Sequence, residues 1–271
     1  MRQSQPFSQQ KPKPMATKEW DEIDGHTKEF PIYYCAFLDV LGYKQKSELY
    51  FKNQFNLPER IERAFVTVST TQLFTSILVD TSTITIESFS DSIIILQPAD
   101  KRGIGGLLLF ASFFTSNLSF EDLLVRGGVS MGKHSDYKTV TGFRVLTSEA
   151  LEKAYRLERE RAKMPRVLID PQVVSHLGVQ EKSLIIKDGD DFILHFATQL
   201  VNCQGKNLDD VYSEMCDIKQ VRDNAKEANV REKYQWVLDY YYWTVSQIDG
   251  IDADRFLPFT SVAKSRFTFV E

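Results

Sequence analysis

Two apolar runs each carry one carboxylate to what reads as a strand end: Phe37-Leu38-Asp39-Val40-Leu41-Gly42-Tyr43 and Ser88-Phe89-Ser90-Asp91-Ser92-Ile93-Ile94-Ile95. A carboxylate beside buried apolar neighbours is costly unless something pairs with it. The two acids lie 52 positions apart, and the first is followed by Gly42, which opens a predicted helix N-terminus. Two divalent cations bearing a polyphosphate suit such a pattern, the footprint of metal-assisted phosphoryl chemistry.

Composition narrows the setting. At 271 residues and 42% apolar, the chain can bury the core of one large domain, with or without an appendage. A net charge of −4 and a pI near 5.7 offer no long basic field for a nucleic-acid backbone, so any bound polyanion is expected to be small. The longest apolar stretch, 103–114 (GIGGLLLFASFF), is too short to span a bilayer. No membrane association is expected. Residues 1–27 are polar and lack a signal-peptide core, which predicts a disordered tail over 1–28 and a cytoplasmic protein. Cys35, Cys203 and Cys216 have no metal-ligand spacing and read as reduced thiols. His26, His134, His176 and His195 are scattered, so a zinc site is not expected.

The periodicity predicts a central strand over 32–39 and a short helix over 43–53. A second helix is predicted over 57–78, with Ile61, Phe65, Val68 and Leu73 at helical spacing. A hairpin follows, from 83–88 (TITIES) to 91–97 (DSIIILQ), with Ser90 and Asp91 between its strands. A Leu/Phe-rich helix spans 102–118, and the strand 123–132 (LLVRGGVSMG) holds a glycine pair that permits close backbone approach. Ser148 caps a helix over 148–163 whose apolar face is read as Leu151, Ala154, Tyr155 and Leu157. Strands are predicted at 166–170 and within 183–197, around the turn 188–191. A charged helix or helix pair over 208–247 holds Tyr234, Trp236, Tyr240, Tyr241, Tyr242 and Trp243, read as a docking face for the core or a subunit partner. The order describes an α+β fold of the palm-like, ferredoxin-like βααββαβ plan, its sheet covered mainly on one face. Residues 29–200 would form this domain and 201–271 a helical extension packing on the core or on a dimer partner.

Taken together, FLDVLGY, FSDSIII, VRGGVSMGK and EKAYRLE resemble the class III nucleotidyl cyclases over about half the chain, 32–170. The resemblance implies Asp39, Val40 and Asp91 as the residues that bind two divalent metal ions, Mn²⁺ or Mg²⁺. It assigns Arg126, in Arg126-Gly127-Gly128, to the triphosphate, and Arg156 to stabilising the transition state. Gly42, Tyr43 and Lys44, at a helix start, could hold phosphate oxygens through backbone amides. The physical reading runs in parallel: attack of a ribose 3′ oxygen on the α-phosphorus needs cations on both the alcohol and the phosphates, and no nucleophilic Ser, Cys or His.

Two departures from the family pattern refine this expectation. Glu152 stands where the family has an Asn four positions before the Arg, and would repel a triphosphate if it faced one. The purine-specifying pair aligns with Glu87 and Val145, so the usual adenine recognition is absent. With the compact length, this looks like the bacterial pyrimidine cyclases of the Pycsar anti-phage systems. That likeness implies a homodimer that converts UTP, or alternatively CTP, to a cyclic nucleotide acting on a separate effector protein. Tyr43 and Tyr50 are the aromatic candidates for limiting the base pocket to a single ring. A non-catalytic nucleotide sensor is the second reading, and a palm-type polymerase or dinucleotide cyclase the third.

Overall fold

Strand β1 (Ile32–Val40) buries five successive residues, Tyr34 to Leu38, as a strand packed on both faces does. The computed structural model describes residues 29–70, 83–100, 103–197, 208–261 and 266–270. The chain divides into residues 1–30 and a unit spanning 31–271, and every element below belongs to the second. The expected tail over 1–28, His26, Cys203, the helical positions 71–78 and the start at 102 lie outside the described residues.

After β1, Gly42 adopts φ 70° and turns the chain into α1 (Tyr43–Phe51), followed by α2 (Leu57–Thr70). The hairpin β2 (Thr85–Phe89) and β3 (Ser92–Pro98) leads to α3 (Gly105–Phe120), β4 (Val125–Lys138), β5 (Arg144–Ser148) and α4 (Glu149–Arg161). Then come β6 (Val167–Ile169), the single-turn helices α5 (Pro171–Val174) and α6 (Val179–Lys182), β7 (Ile185–Asp188) and β8 (Asp191–Leu194). The C-terminal part holds α7 (Leu208–Asn224), α8 (Ala228–Ser246), a 3₁₀ segment Ala253–Phe259 and β9 (Phe267–Phe269).

One sheet results, ordered β2-β3-β1-β4-β6-β8-β7-β9, with β5 paired on β4. Its first four strands run 2-3-1-4, with β1 antiparallel to both β3 and β4, which is the ferredoxin-like arrangement the element order predicts. Parallel pairing of β4 with β6 extends it. The protein is thus an α+β fold with a central sheet.

Alternation along the strands divides the core. Ala36, Leu38, Ile93, Ile95, Val129, Val167 and Ile169 face α2 and α3 in one cluster. Cys35, Phe37, Ile94 and Leu96 point the other way, onto Ala150 and Ala154 of α4. Leu168, Ile186 and Ile193 meet Trp236, Tyr240, Tyr241 and Trp243 of α8 in a third. Helices therefore cover both faces, not mainly one, because β1 and β3 are apolar at consecutive positions. The α8 aromatics are core residues of this chain.

Two helix faces also differ from the sequence reading. The buried residues of α4 are Ala150, Ala154 and Glu158, while Tyr155 is 42% exposed and meets Phe37 edge-on. On α2 the buried row is Leu57, Ala64 and Val68, with Phe65 exposed. On α4 the close approach is at Ala154, whose carbonyl a Cβ on Gly128 would overlap, and in both helices an aromatic of the expected stripe is exposed.

The C-terminal elements are tied to the sheet by charge as well as packing. Asp188 is fully buried at its carboxylate and accepts from Arg166 Nη1 at 2.5 Å, from Trp236 Nε1 at 3.0 Å and from Arg266 Nε. Three donors, from just before β6, from α8 and from just before β9, converge on one anion of β7. The strand β9 then pairs with β7 at Ile186↔Phe269 and Asp188↔Phe267.

Candidate active site

The strand register brings the acids and the arginine together. Asp39 stands opposite Ser92 on β3 and opposite Arg126 on β4. Asp91 occupies the β2–β3 turn, where Ser90 takes a positive φ of 54°, and its carbonyl accepts from Val40 N–H at 2.9 Å. That bond holds the hairpin tip against the end of β1. Leu41 N–H continues the ladder to Leu124 O at 2.8 Å, and Lys46 of α1 donates from Nζ to Asp122 O at 2.6 Å. The start of α1 is thereby fixed beside the two acids.

Arg126 donates its Nε–H to Asp39 Oδ2 at 2.9 Å. Glu158 Oε1 lies 2.6 Å from the same nitrogen as an ion pair but receives no hydrogen bond, because Nε carries one hydrogen and it is directed at Asp39. The Glu158 side chain is 4% exposed. Among the described residues the Nη groups of Arg126 have no hydrogen-bond partner, nor has the Asp91 carboxylate. Two acids thus meet at one Nε, while the Nη groups of the same guanidinium make no hydrogen bond among the described residues.

Burial pushes the Asp39 carboxyl above its ordinary value; the Arg126 hydrogen bond and charge oppose this, the Asp91 charge adds to it, and Lys233 of α8 opposes it. Glu158 is also raised, first by burial, against the pull of Arg126 and with further repulsion from Asp39 and Asp91. In both groups burial outweighs the nearby positive charge, so the charged carboxylates are only partly compensated.

The donor set fits a hard divalent cation. Among the described residues no three His, Cys, Asp or Glu side chains converge as a complete metal cage. Asp39 and Asp91 supply two carboxylates, and Val40, being aliphatic, can add only its main-chain carbonyl. Mg²⁺-like ions need no more, since they take one or two protein carboxylates and complete their shell with water and phosphate oxygens.

Glycines set the spacing. A Cβ on Gly127 would overlap Phe37 O of β1, and one on Gly128 would overlap Ala154 O of α4. Without them β4 could not approach both neighbours, and Glu158, one turn beyond Ala154, could not reach Arg126.

The remaining expected site residues divide. Gly42 makes the β1–α1 turn soon after Asp39, left-handed and with its carbonyl accepting from Lys46 N, and Tyr43 and Lys44 open α1. Tyr50 is 38% exposed, its ring tilted 57° to that of Phe51, and it lines a separate cavity of about 620 Å³ with Asn53, Phe55, Arg60 and Arg63. Arg156 is not brought to Asp39 within this chain. It lies on the exposed face of α4, two residues from Glu158 and so on the other side of the helix, paired with Glu152 at 3.1 Å. Glu152 therefore neutralises Arg156 and does not face the acids. Glu87 pairs with Arg144, which also holds Asp136, and Val145 sits half-exposed on β5.

Glu158 is the residue sequence reasoning missed. Its signal was the i, i+4, i+8 row Ala150, Ala154, Glu158, in which two alanines mark the face that packs.

No protein-family model matches the chain, and no curated protein does. Among solved structures the chain is similar to an adenylate cyclase from Trypanosoma brucei in its monomeric state, at 12% identity over 66% of this chain and 91% of that one, with a TM-score of 0.43. It is also similar to the guanylyl cyclase domain of a RhoGC fusion protein from Blastocladiella emersonii (12% identity, 62% and 96%, TM-score 0.44). A third is the guanylate cyclase domain of RhGC from Catenaria anguillulae in complex with GTP (10%, 61% and 94%, 0.39). At such identities and scores the functional reading rests on the residues of the site itself.

Proposed function

We propose that this protein is a metal-dependent nucleotidyl cyclase that converts UTP to 3′,5′-cyclic UMP and pyrophosphate. The observation that carries the reading is the grouping of Asp39, Asp91 and Arg126 at one end of the β1–β4 ladder, beside the Gly42 turn. Asp39 and Asp91, with the Val40 carbonyl, would hold two Mn²⁺ or Mg²⁺ ions. Such ions, when bound, lower the pKa of the 3′ hydroxyl and neutralise phosphate charge. The ribose 3′ hydroxyl gives its proton to solvent as its oxygen bonds to the α-phosphorus; the bond from that phosphorus to the bridging oxygen breaks, and pyrophosphate leaves with the electron pair. The free Nη edge of Arg126 is available to phosphate oxygens, and the amides of Gly42, Tyr43 and Lys44 stand at a helix start that favours them.

Arg156 would serve the site of a second subunit, as resemblance to the cyclases implies, so the working form is a homodimer with composite sites. The pyrimidine reading rests on Glu87 and Val145 at the purine-specifying positions, with Glu87 engaged by Arg144. Tyr43 or Tyr50 would limit pocket depth, and CTP is the alternative substrate. A cytoplasmic role in bacterial anti-phage defence, with the product acting on a separate effector, follows from the Pycsar likeness alone. Among the described residues no helix is long and apolar enough to cross a membrane. A non-catalytic nucleotide-binding protein is the second reading, favoured by the pairing of Arg156 with Glu152.

The deciding experiment offers Mn²⁺ and each of the four nucleoside triphosphates separately, with products resolved by mass spectrometry. A cyclic pyrimidine monophosphate supports the proposal. Binding without turnover favours the second reading, and linear or dinucleotide products would overturn both.

A further inference from the structure

Glu158 raises a question that the cation site does not answer. Its carboxylate is enclosed at 4% exposure, and Oε1 sits 2.6 Å from Arg126 Nε with no hydrogen directed at it. A buried charged oxygen left without a donor is an expense that static structure does not justify. The two acceptors, Asp39 Oδ2 at 2.9 Å and Glu158 Oε1 at 2.6 Å, compete for the single Nε–H.

Consider what a divalent cation at Asp39 must do. It draws on the same carboxylate whose Oδ2 now accepts from Arg126, which weakens that acceptor, and its charge repels the guanidinium. With no other acceptor in reach, Arg126 would be driven towards solvent, and the cation that remains to meet a polyphosphate would be lost from the site. An anion already waits beside the same nitrogen.

Resting on the proposed cation site, the geometry points to Glu158 as the second berth of Arg126: a positioning residue that takes over the Nε–H when a divalent cation engages Asp39. The guanidinium then stays in place through a small rotation, with its Nη edge still open. The seam between β4 and α4 makes this possible, since Gly128 lets Ala154 approach and puts Glu158 next along the same face of the helix. Glu158 is not itself a ligand here, because Arg126 stands between it and Asp39.

Two measurements on the whole protein, without nucleotide, test this. In the first, Mn²⁺ alone is titrated and the free ion is followed by electron paramagnetic resonance, for wild type, Glu158→Gln and Glu158→Asp. The glutamine keeps the shape but not the charge; the aspartate keeps the charge but falls one methylene short. Both should weaken Mn²⁺ binding about tenfold, the scale of losses when an outer partner of a metal site is removed. Equal affinity in all three, or a loss in the glutamine variant alone, overturns the berth; the latter would mean that Glu158 acts only by distant charge. Failure of the folded wild type to bind Mn²⁺ at all overturns the cation site itself, and the inference with it.

In the second measurement, which needs no stable variant, the Arg126 Nε–H resonance of the wild type is followed by NMR as Mg²⁺ is added. It should shift while remaining protected from exchange with water. An unmoved resonance would place Arg126 still on Asp39, and a rapidly exchanging one would place it in solvent; either result overturns the inference.

Discussion

Asp39 and Arg126 face each other directly across the β1–β4 ladder, joined by an Nε–H to Oδ2 hydrogen bond of 2.9 Å. The bond does not fully compensate the acid, for burial and the charge of Asp91 still lift its carboxyl above the ordinary value of 3.8. An acid that holds its proton more tightly when folded adds stability below its unfolded pKa and loses it as pH rises through the folded value.

Asp39→Asn should therefore abolish nucleotide turnover while melting at or above wild type near neutral pH. The stability gap should open as pH rises from about 4, because only the wild type carries the unfavourable charge there. Paired melting curves at about pH 4.5 and pH 7.5 check the sign. A variant melting well below wild type at the higher pH would mean that the Arg126 pair outweighs the burial.

His195 gives the opposite slope. It is 3% exposed, its Nδ1 lies 2.8 Å from Tyr240 Oη, which also accepts from Ala197 N–H, and burial pushes its pKa down from 6.5 to about 4. The unfolded chain takes up the proton first, so the stability that His195 contributes is complete above pH 6.5 and lost as pH falls towards 4. The loss should be about 3 kcal/mol across that window. Urea denaturation of wild type and His195→Gln at several pH values measures it, and parallel pH profiles for the two proteins would refute it.

Asp188 should show the greatest sensitivity in the C-terminal half. Asp188→Asn leaves Arg166 and Arg266 without their shared anion and weakens the acceptor for Trp236, which should cost about 3 kcal/mol in urea unfolding. Hydrogen exchange should quicken at the β9 amides before it does at β1. Uniform loss of protection across the sheet would contradict a local role for this anion.

The distance between Arg156 and the Asp39 group within one chain leads to a complementation test. Asp39→Ala and Arg156→Ala subunits, each inactive alone, should recover roughly a quarter of wild-type activity after free exchange, since half the dimers are mixed and each keeps one intact site. Persistent inactivity would show that both residues serve one chain's site, and an Arg156→Ala protein that stays active alone would make Arg156 a surface charge balanced by Glu152.

Much of this arrangement was legible in the residues. Strand β1, the hairpin with Asp91 in its turn, the glycine pair of β4 and the α7–α8 helix pair all announce themselves through apolar runs, turn chemistry and periodicity. Strand β5 was missed because its five residues carry no apolar alternation and are mostly exposed, and β9 because three residues offer no period at all. Glu158 stayed hidden for a different reason. In a helix reading EALEKAYRLERER, one more charge looks solvated, and only the strand register that fixes Arg126 opposite Asp39, with Gly128 admitting the helix, shows that this glutamate is enclosed.

The anion at Asp188 also carries a timetable. Arg166 precedes it in the chain by 22 residues, but Trp236 and Arg266 follow it by 48 and 78. During synthesis at about 5–20 residues per second, Asp188 and the open edge of β7 would wait roughly 4–16 s for the last of their partners. In that interval the nascent chain presents an unpaired strand edge and a half-neutralised charge, the state in which a ribosome-associated chaperone has most to offer. Truncations or slow codons between α8 and β9 should therefore show first as lost soluble yield, before any change in chemistry.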